Sequence, residues 1–293
     1  MGTFIGHAVP ALAFTLLGLW HSLNTIKTYK LKGPSHFAST TWFPLSTPIA
    51  ILKHLELYLL FSFSIFAIIL QLLDYPLFTF SFKPDNYEHA TIFLHVAIYS
   101  SIALAVDVSS SSSEALLGLV GVLATSVFGQ ELFLLHFHSI DHAGLEGHYH
   151  WLLELIVAMS LLATAISTGF PTSFPAAVVR SASVLFQGLW FMVMGFALWV
   201  PGLVPAGCHA TGSEGAGGHG AVACGTEQAS RRAMALANLQ FSWALAGVLV
   251  LTAYLCLRPE WKCMEYRQLE CRGVDVSQVS GEGEGYKGVH ASV

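Results

Sequence analysis

The chain has 293 residues, of which 54% are hydrophobic and only 11% are charged. Soluble domains usually carry about 25% charged residues, so this composition excludes an ordinary soluble protein. With a mean hydropathy of +0.61, it indicates a polytopic membrane protein. The formal net charge is −5 and the sequence contains no long basic stretch, which argues against a nucleic-acid partner.

Seven apolar stretches are long enough to cross a bilayer as helices, which takes about 20 residues each. They cover approximately residues 4–26, 48–73, 86–107, 114 to 138 or 142, 148–169, 175–200 and 233–257. The sequence therefore predicts an all-α fold, a membrane helix bundle of seven transmembrane helices over residues 1–257. The Gly, Glu and Ser content of residues 258–293 predicts a disordered cytoplasmic tail.

Lysine and arginine are distributed unequally between the two sides of the predicted bundle. With seven helices the termini lie on opposite sides, and most basic residues fall on the side of the C-terminus, including a predicted basic loop at residues 27–32. The other side holds only Lys83, Arg231 and Arg232. By the positive-inside rule, the N-terminus is predicted outside and the C-terminus in the cytoplasm.

Two cysteines, Cys208 and Cys224, share the loop between the sixth and seventh predicted helices. The predicted orientation puts this loop in an oxidising compartment, where disulfides persist. We therefore expect a disulfide between Cys208 and Cys224.

The segment from Glu131 to Glu154 contains five histidines and four acidic residues among its 24 positions. It joins helices four and five at the predicted outer edge of the membrane. Ionisable groups at such a place are costly unless they are paired, solvated or bound to metal. The segment is therefore the first candidate for a functional site.

Helix four presents several of these side chains on one face. Glu131, His138 and His142 follow helical spacing, and the pair His138 and His142 is spaced so that two imidazoles can reach one ion. Asp141 is close by, as a ligand or as an acceptor that orients a ligand. Helix four alone thus offers half of a metal site.

Helices three and five add ligands at the same predicted depth. His150 and Glu154 share a face at the start of helix five, and His89 lies at the start of helix three. We predict a divalent metal site between these three helices, whose ligands are His89, His138, His142 and His150, supported by Glu131, Asp141 and Glu154. Imidazole and carboxylate ligands suit zinc, although copper, iron and nickel use them too.

Other interpretations of this segment stay open. The histidines and carboxylates can bond to one another and to interfacial water, and so anchor helix ends without any metal. Alternatively, a bound zinc with an open position can activate water, with Glu131 or Asp141 as the base, in a hydrolase acting on lipids or amides. A transporter or channel is a third candidate, but it calls for polar residues across the bilayer, and here they gather at its two sides.

Polar residues near the cytoplasmic helix ends have simpler expected roles. His54 and Glu56 enter helix two, where we expect an interfacial pair that reaches toward water. Arg180, near the cytoplasmic end of helix six, is expected only to mark the orientation. The sequence contains no nucleophile motif, phosphate loop or dinucleotide fingerprint.

Short motifs in nearly every predicted helix resemble one family. They include Gly6-His7, Leu17–His21, Glu88-His89, Phe128–Glu131, His136–His138, Asp141-His142, Phe186–Gly188 and Gln240–Trp243. Over roughly residues 1–257 these motifs resemble the plant branch of the transmembrane protein 45-like family, whose plant members are often labelled viral-response family proteins. The resemblance implies an integral protein of the plasma membrane or endomembranes with a role in stress or pathogen response. It supplies no catalytic residue and no protein partner, because the family's activity is not settled.

Overall fold

The structure is a computed structural model that describes residues 4–73, 84–109, 113–141, 144–211 and 222–258, without the side chains of residues 50, 84, 85 and 138–141. Seven helices in these ranges are long and apolar enough to cross a membrane. Their bounds are α1 Phe4–Lys32, α2 Leu55–Leu72, α3 Pro84–Val108, α4 Glu114–Asp141, α5 Leu145–Gly169, α6 Phe174–Trp199 and α7 Glu227–Leu257. The predicted all-α bundle of seven spans is therefore confirmed.

The end of α1 differs from the prediction. The helix continues to Lys32, so the basic loop predicted at residues 27–32 is wrong and its lysines occupy the last helical turns. Gly33 follows with a φ of 72°, and its N–H donates to the Tyr29 carbonyl at 2.9 Å. A left-handed glycine is a common helix stop, and lysines are favourable beside the negative end of a helix dipole.

Helices α1 and α6 approach each other closely because glycines lie between them. A Cβ atom added to Gly18 of α1 would lie 2.3 Å from the backbone nitrogen of Leu185, and one added to Gly188 of α6 would lie 2.3 Å from that of Thr15. Small residues allow this approach, and van der Waals packing then holds helices together in lipid.

The remaining helices complete an arc that encloses an internal space. Consecutive helices from α2 to α6 pack on one another and α1 packs on α6, while α7 lies outside against α5 and α6. Of the described helices, α1 and α2 are joined mainly by side chains, since Trp20 and His21 both bond to Glu56. These side-chain bonds therefore join the two ends of the arc, α1 and α2.

A short hairpin connects α6 to α7. Strands β1 (Cys208–Ala210) and β2 (Val222–Cys224) pair antiparallel, with Cys208 opposite Cys224, and a disulfide joins these two cysteines. Val222 is buried against the α5–α6–α7 core. The disulfide thus fixes the hairpin on the end of the bundle where α7 begins.

Two predictions, the disordered tail and the membrane orientation, are not tested by the described residues. Residues 259–293, predicted as a disordered tail, lie outside the described residues. The bundle packs identically in either direction across a membrane, so the orientation with the N-terminus outside stays a prediction.

Candidate functional site

A cavity of about 240 Å³ lies between helices α1 to α6. Its middle is apolar, with walls that include Phe14, Phe63, Phe93, Val127 and Phe191. Polar residues line both of its ends. One end, called the His150 end below, is formed by His7, His89, Glu131, Glu146 and His150; the other, called the Arg180 end, is formed by His21, Thr41, Glu56, Tyr99 and Arg180.

The helix geometry gives the length of this cavity. His7 and His21 line opposite ends and are fourteen residues apart on α1. At a rise of 1.5 Å per residue they are separated by about 21 Å along the helix axis. The cavity is therefore elongated, with an apolar middle between two polar ends.

The His150 end contains three of the seven residues predicted around a metal. His89, Glu131 and His150 come from α3, α4 and α5 and line the same cavity. Sequence reasoning did not assign His7 or Glu146 to this set. His7 is buried and its ring centroid lies 6.2 Å from that of His150, so α1 contributes to the site as well.

One hydrogen bond determines the tautomer of His150. Its Nδ1 atom lies 2.9 Å from the backbone carbonyl of Glu146, four residues earlier on α5. A carbonyl only accepts, so Nδ1 carries the proton, and a neutral imidazole then has its lone pair on Nε2. Metal-binding histidines commonly have this arrangement.

Glu131 is the most isolated carboxylate of this end. It is buried, with 6% of its surface exposed, and it forms no hydrogen bond or ion pair with the residues that the structure describes. Leu135, one turn later, lines the same cavity. The face of α4 predicted from the spacing thus points inward at these two positions.

Other predicted ligands lie elsewhere or are not described. Glu154 is buried but bonds to His136, whose Nδ1 lies 3.1 Å from Glu154 Oε2, and neither residue lines the cavity. The side chains of His138 and Asp141, and all of His142, lie outside the described residues. Among the residues that are described, no group of three or more His, Cys, Asp or Glu has the geometry to hold a metal. The predicted metal site therefore stays a prediction.

A dense network occupies the Arg180 end. The carboxylate of Glu56 accepts from Trp20 Nε1 at 2.8 Å and from the Phe43 backbone N–H at 2.9 Å. Its other oxygen lies 2.8 Å from His21 Nε2. The expectation that Glu56 reaches toward water beside His54 is wrong, because the Glu56 side chain is only 7% exposed. His54 bonds to Asp107 at 2.6 Å instead.

Arg180 is not the exposed marker of orientation that its position suggested. Only 5% of its surface is exposed, and Nη2 donates to the Thr40 carbonyl. The segment between α1 and α2 folds over the start of α6, where the Ser39 N–H donates to the Pro171 carbonyl at 2.7 Å. This cover buries the guanidinium at the cavity wall.

The arrangement is suited to hold a molecule with a long apolar body and polar ends. The apolar walls offer hydrophobic contact, and the two ends offer hydrogen bonds, which is the usual chemistry of a small-molecule pocket.

One comparison with known proteins bears on identity. The matched region covers α5, α6 and α7 and nearly all of α4. It therefore includes Glu131, Glu146, His150 and Arg180 of the cavity. Residues 117–257 match the model of a family of unknown function, DUF716, which is the transmembrane protein 45-like family.

Proposed function

We propose that this multi-pass membrane protein binds an elongated amphipathic molecule of the lipid class inside its helix bundle. The observation that carries the proposal is the apolar cavity with a polar cluster at each end. A purely structural bundle gains most from close packing, because voids forfeit van der Waals contacts. An elongated cavity with aromatic walls is better explained by a ligand that fills it.

The dimensions of the cavity match one lipid chain. The hydrocarbon core of a bilayer is about 30 Å thick, so one acyl chain in a leaflet spans roughly 15 Å. The cavity is about 21 Å long by the helix rise, which leaves room for a head group. Its volume of about 240 Å³ is slightly below the roughly 300–1,000 Å³ of drug-sized pockets, so one chain fits better than two.

Native mass spectrometry of the protein released from mild detergent tests this proposal. Ala13 lines the cavity, whereas the neighbouring Leu12 faces outward with 56% of its surface exposed. We expect a bound molecule of lipid mass on the wild type and on Leu12→Trp, and its loss from Ala13→Trp, whose indole fills the space. Equal lipid occupancy in the two variants, or no bound molecule on the wild type, would contradict the proposal.

A divalent cation at the His150 end is the second candidate function. It is favoured by the tautomer of His150, whose Nδ1 is bonded to a carbonyl, and by the buried carboxylate of Glu131 in the same cavity. A buried carboxylate is stabilised by a metal or another positive partner. Zinc fits this set of imidazole and carboxylate groups, and His138 and His142 stay proposed as further ligands.

Metal analysis of the purified protein tests the second candidate. Stoichiometric zinc should be present in the wild type and lost in His150→Ala and Glu131→Gln. His148→Ala is the matched control, because His148 is only two residues away and bonds to Asn238. Absence of zinc and other divalent metals from wild-type protein prepared without chelators would remove this candidate.

A zinc-dependent hydrolase would require both candidates at once, a bound metal and a lipid or amide substrate in the cavity. Its test is turnover of such substrates by metal-loaded protein, and no turnover would leave only a binding role. The proposed role in stress or pathogen response and residence in the plasma membrane or endomembranes are supported by the family resemblance alone.

A further inference from the structure

We infer that the Arg180 end binds the carboxylate of a single-chain lipid anion, with the chain extending along the cavity toward the His150 end. This inference rests on the proposed function and specifies the chemical class of the ligand. It assigns to Arg180 the role of recognising the head group.

The hydrogen bonds of Arg180 are largely unused by the protein. A guanidinium has five N–H donors, and the described residues supply one acceptor, the Thr40 carbonyl. No ion pair joins Arg180 to a described carboxylate. Its side chain nevertheless is 95% buried and lines the cavity, so a charged group with unused donors faces a largely apolar space.

The carboxylate that lines the cavity at this end is already occupied. Glu56 belongs to the same end, but both of its oxygens are engaged, Oε1 with His21 and Oε2 with Trp20 and Phe43. The hydroxyl of Tyr99 is also engaged, since it donates to the Thr41 carbonyl at 2.8 Å. These neighbours orient the site and leave the guanidinium available to a ligand.

An anion with two coplanar oxygens matches this guanidinium. Arginine binds carboxylates and phosphates through paired N–H donors, and such charge-assisted bonds are stronger than neutral ones. Glu56 carries its own negative charge nearby, so the singly charged carboxylate is less repelled than a doubly charged phosphate.

Binding of three single-chain lipids to detergent-purified protein tests the inference at mildly alkaline pH. Oleate carries the carboxylate, oleyl alcohol has the same chain without charge, and lysophosphatidate carries a phosphate. A charge-assisted hydrogen bond contributes about 1.5–3 kcal/mol, so oleate should bind the wild type about 10–100-fold more tightly than oleyl alcohol. Lysophosphatidate should bind more weakly than oleate.

Arg180→Gln should reduce the affinity for oleate to that for oleyl alcohol and leave oleyl alcohol unchanged. Lys53→Gln is the matched control, because Lys53 is a basic residue near the same end that bonds to Asp107 and does not line the cavity. It should leave the preference for oleate intact. Equal loss in Lys53→Gln would mean that general electrostatic attraction, not Arg180, selects the anion.

The outcomes separate this inference from the proposed function. Equal affinities of the wild type for oleate and oleyl alcohol would overturn the inference even if Arg180→Gln fails to fold, while the cavity would still bind lipid. Tighter binding of lysophosphatidate would overturn the assignment of a carboxylate. Failure of all three lipids to bind, or binding unaffected by Ala13→Trp, would overturn the proposed function itself.

Discussion

His21 Nε2 lies 2.8 Å from Glu56 Oε1, across the gap between two helices whose backbones pack little on each other. The same carboxylate holds the indole of Trp20 and the backbone of Phe43. This one side chain therefore joins α1, α2 and the segment that covers the Arg180 end.

Replacing Glu56 with alanine should destabilise the bundle strongly. The change removes the partner of Trp20 Nε1, of the Phe43 N–H and of the His21 ring. Breaking a buried pair in this way costs about 3–5 kcal/mol. Thermal unfolding in detergent should show a melting temperature lower by on the order of 10 °C. Glu227→Ala is the control, because its ion pair with Arg231 is exposed and contributes little; equal melting temperatures of the two variants would contradict the assigned role.

Gly18→Ala should lower stability although alanine favours helices. Its Cβ would lie 2.3 Å from the nitrogen of Leu185, so α1 and α6 must separate, and overpacking typically costs about 1–3 kcal/mol. Gly118→Ala of α4 is the control, since nothing lies within 4 Å of its added Cβ. There alanine should be neutral or stabilising by up to about 1 kcal/mol. The melting temperatures of the two variants in detergent measure this difference in stability. A Gly18→Ala variant as stable as the wild type would exclude the close packing of α1 on α6.

Removal of the disulfide should loosen the hairpin before α7. Cys208 and Cys224 are 16 residues apart, and closing a loop of about 15 residues contributes about 3 kcal/mol by restricting the unfolded chain. The double variant Cys208→Ser/Cys224→Ser should therefore melt at a lower temperature in the absence of reductant. Cys256→Ser is the control, because this thiol is free; a reductant that lowers the melting temperature of the double variant as well would point to another cause.

The predicted orientation places the connection between α6 and α7 outside the cytoplasm. An Asn-X-Thr acceptor inserted between Cys208 and Cys224 should therefore be glycosylated in cells, while the same acceptor at the C-terminus should not be. Mobility on a gel before and after enzymatic deglycosylation measures this. Modification of the C-terminal acceptor alone would reverse the orientation.

The helices were predictable because lipid imposes a simple rule. A segment such as α5 must satisfy its own backbone and is long and apolar, so its existence follows from the sequence. The inward face of α4 also followed, since Glu131 and Leu135 are one turn apart and line the cavity. Local spacing was sufficient in both cases.

The Arg180 end was not predictable in the same way. A basic residue near a helix end usually marks orientation, and Arg180 is covered by a segment more than a hundred residues earlier in the chain. Likewise His21 and Glu56 are 35 residues apart, and nothing local to either position indicates the partner. Such contacts depend on how helices assemble, which periodicity does not encode.

Photocrosslinking of a long-chain fatty acid with a photoreactive group at mid-chain tests the central claim most directly. After irradiation of the protein in vesicles, peptide mapping locates the attachment. The account predicts modification of the apolar middle of the cavity, at residues such as Phe14, Phe63, Phe93 or Val127, with competition by oleate. Modification confined to outward-facing residues such as Leu249 and Val250, unaffected by oleate, would contradict it.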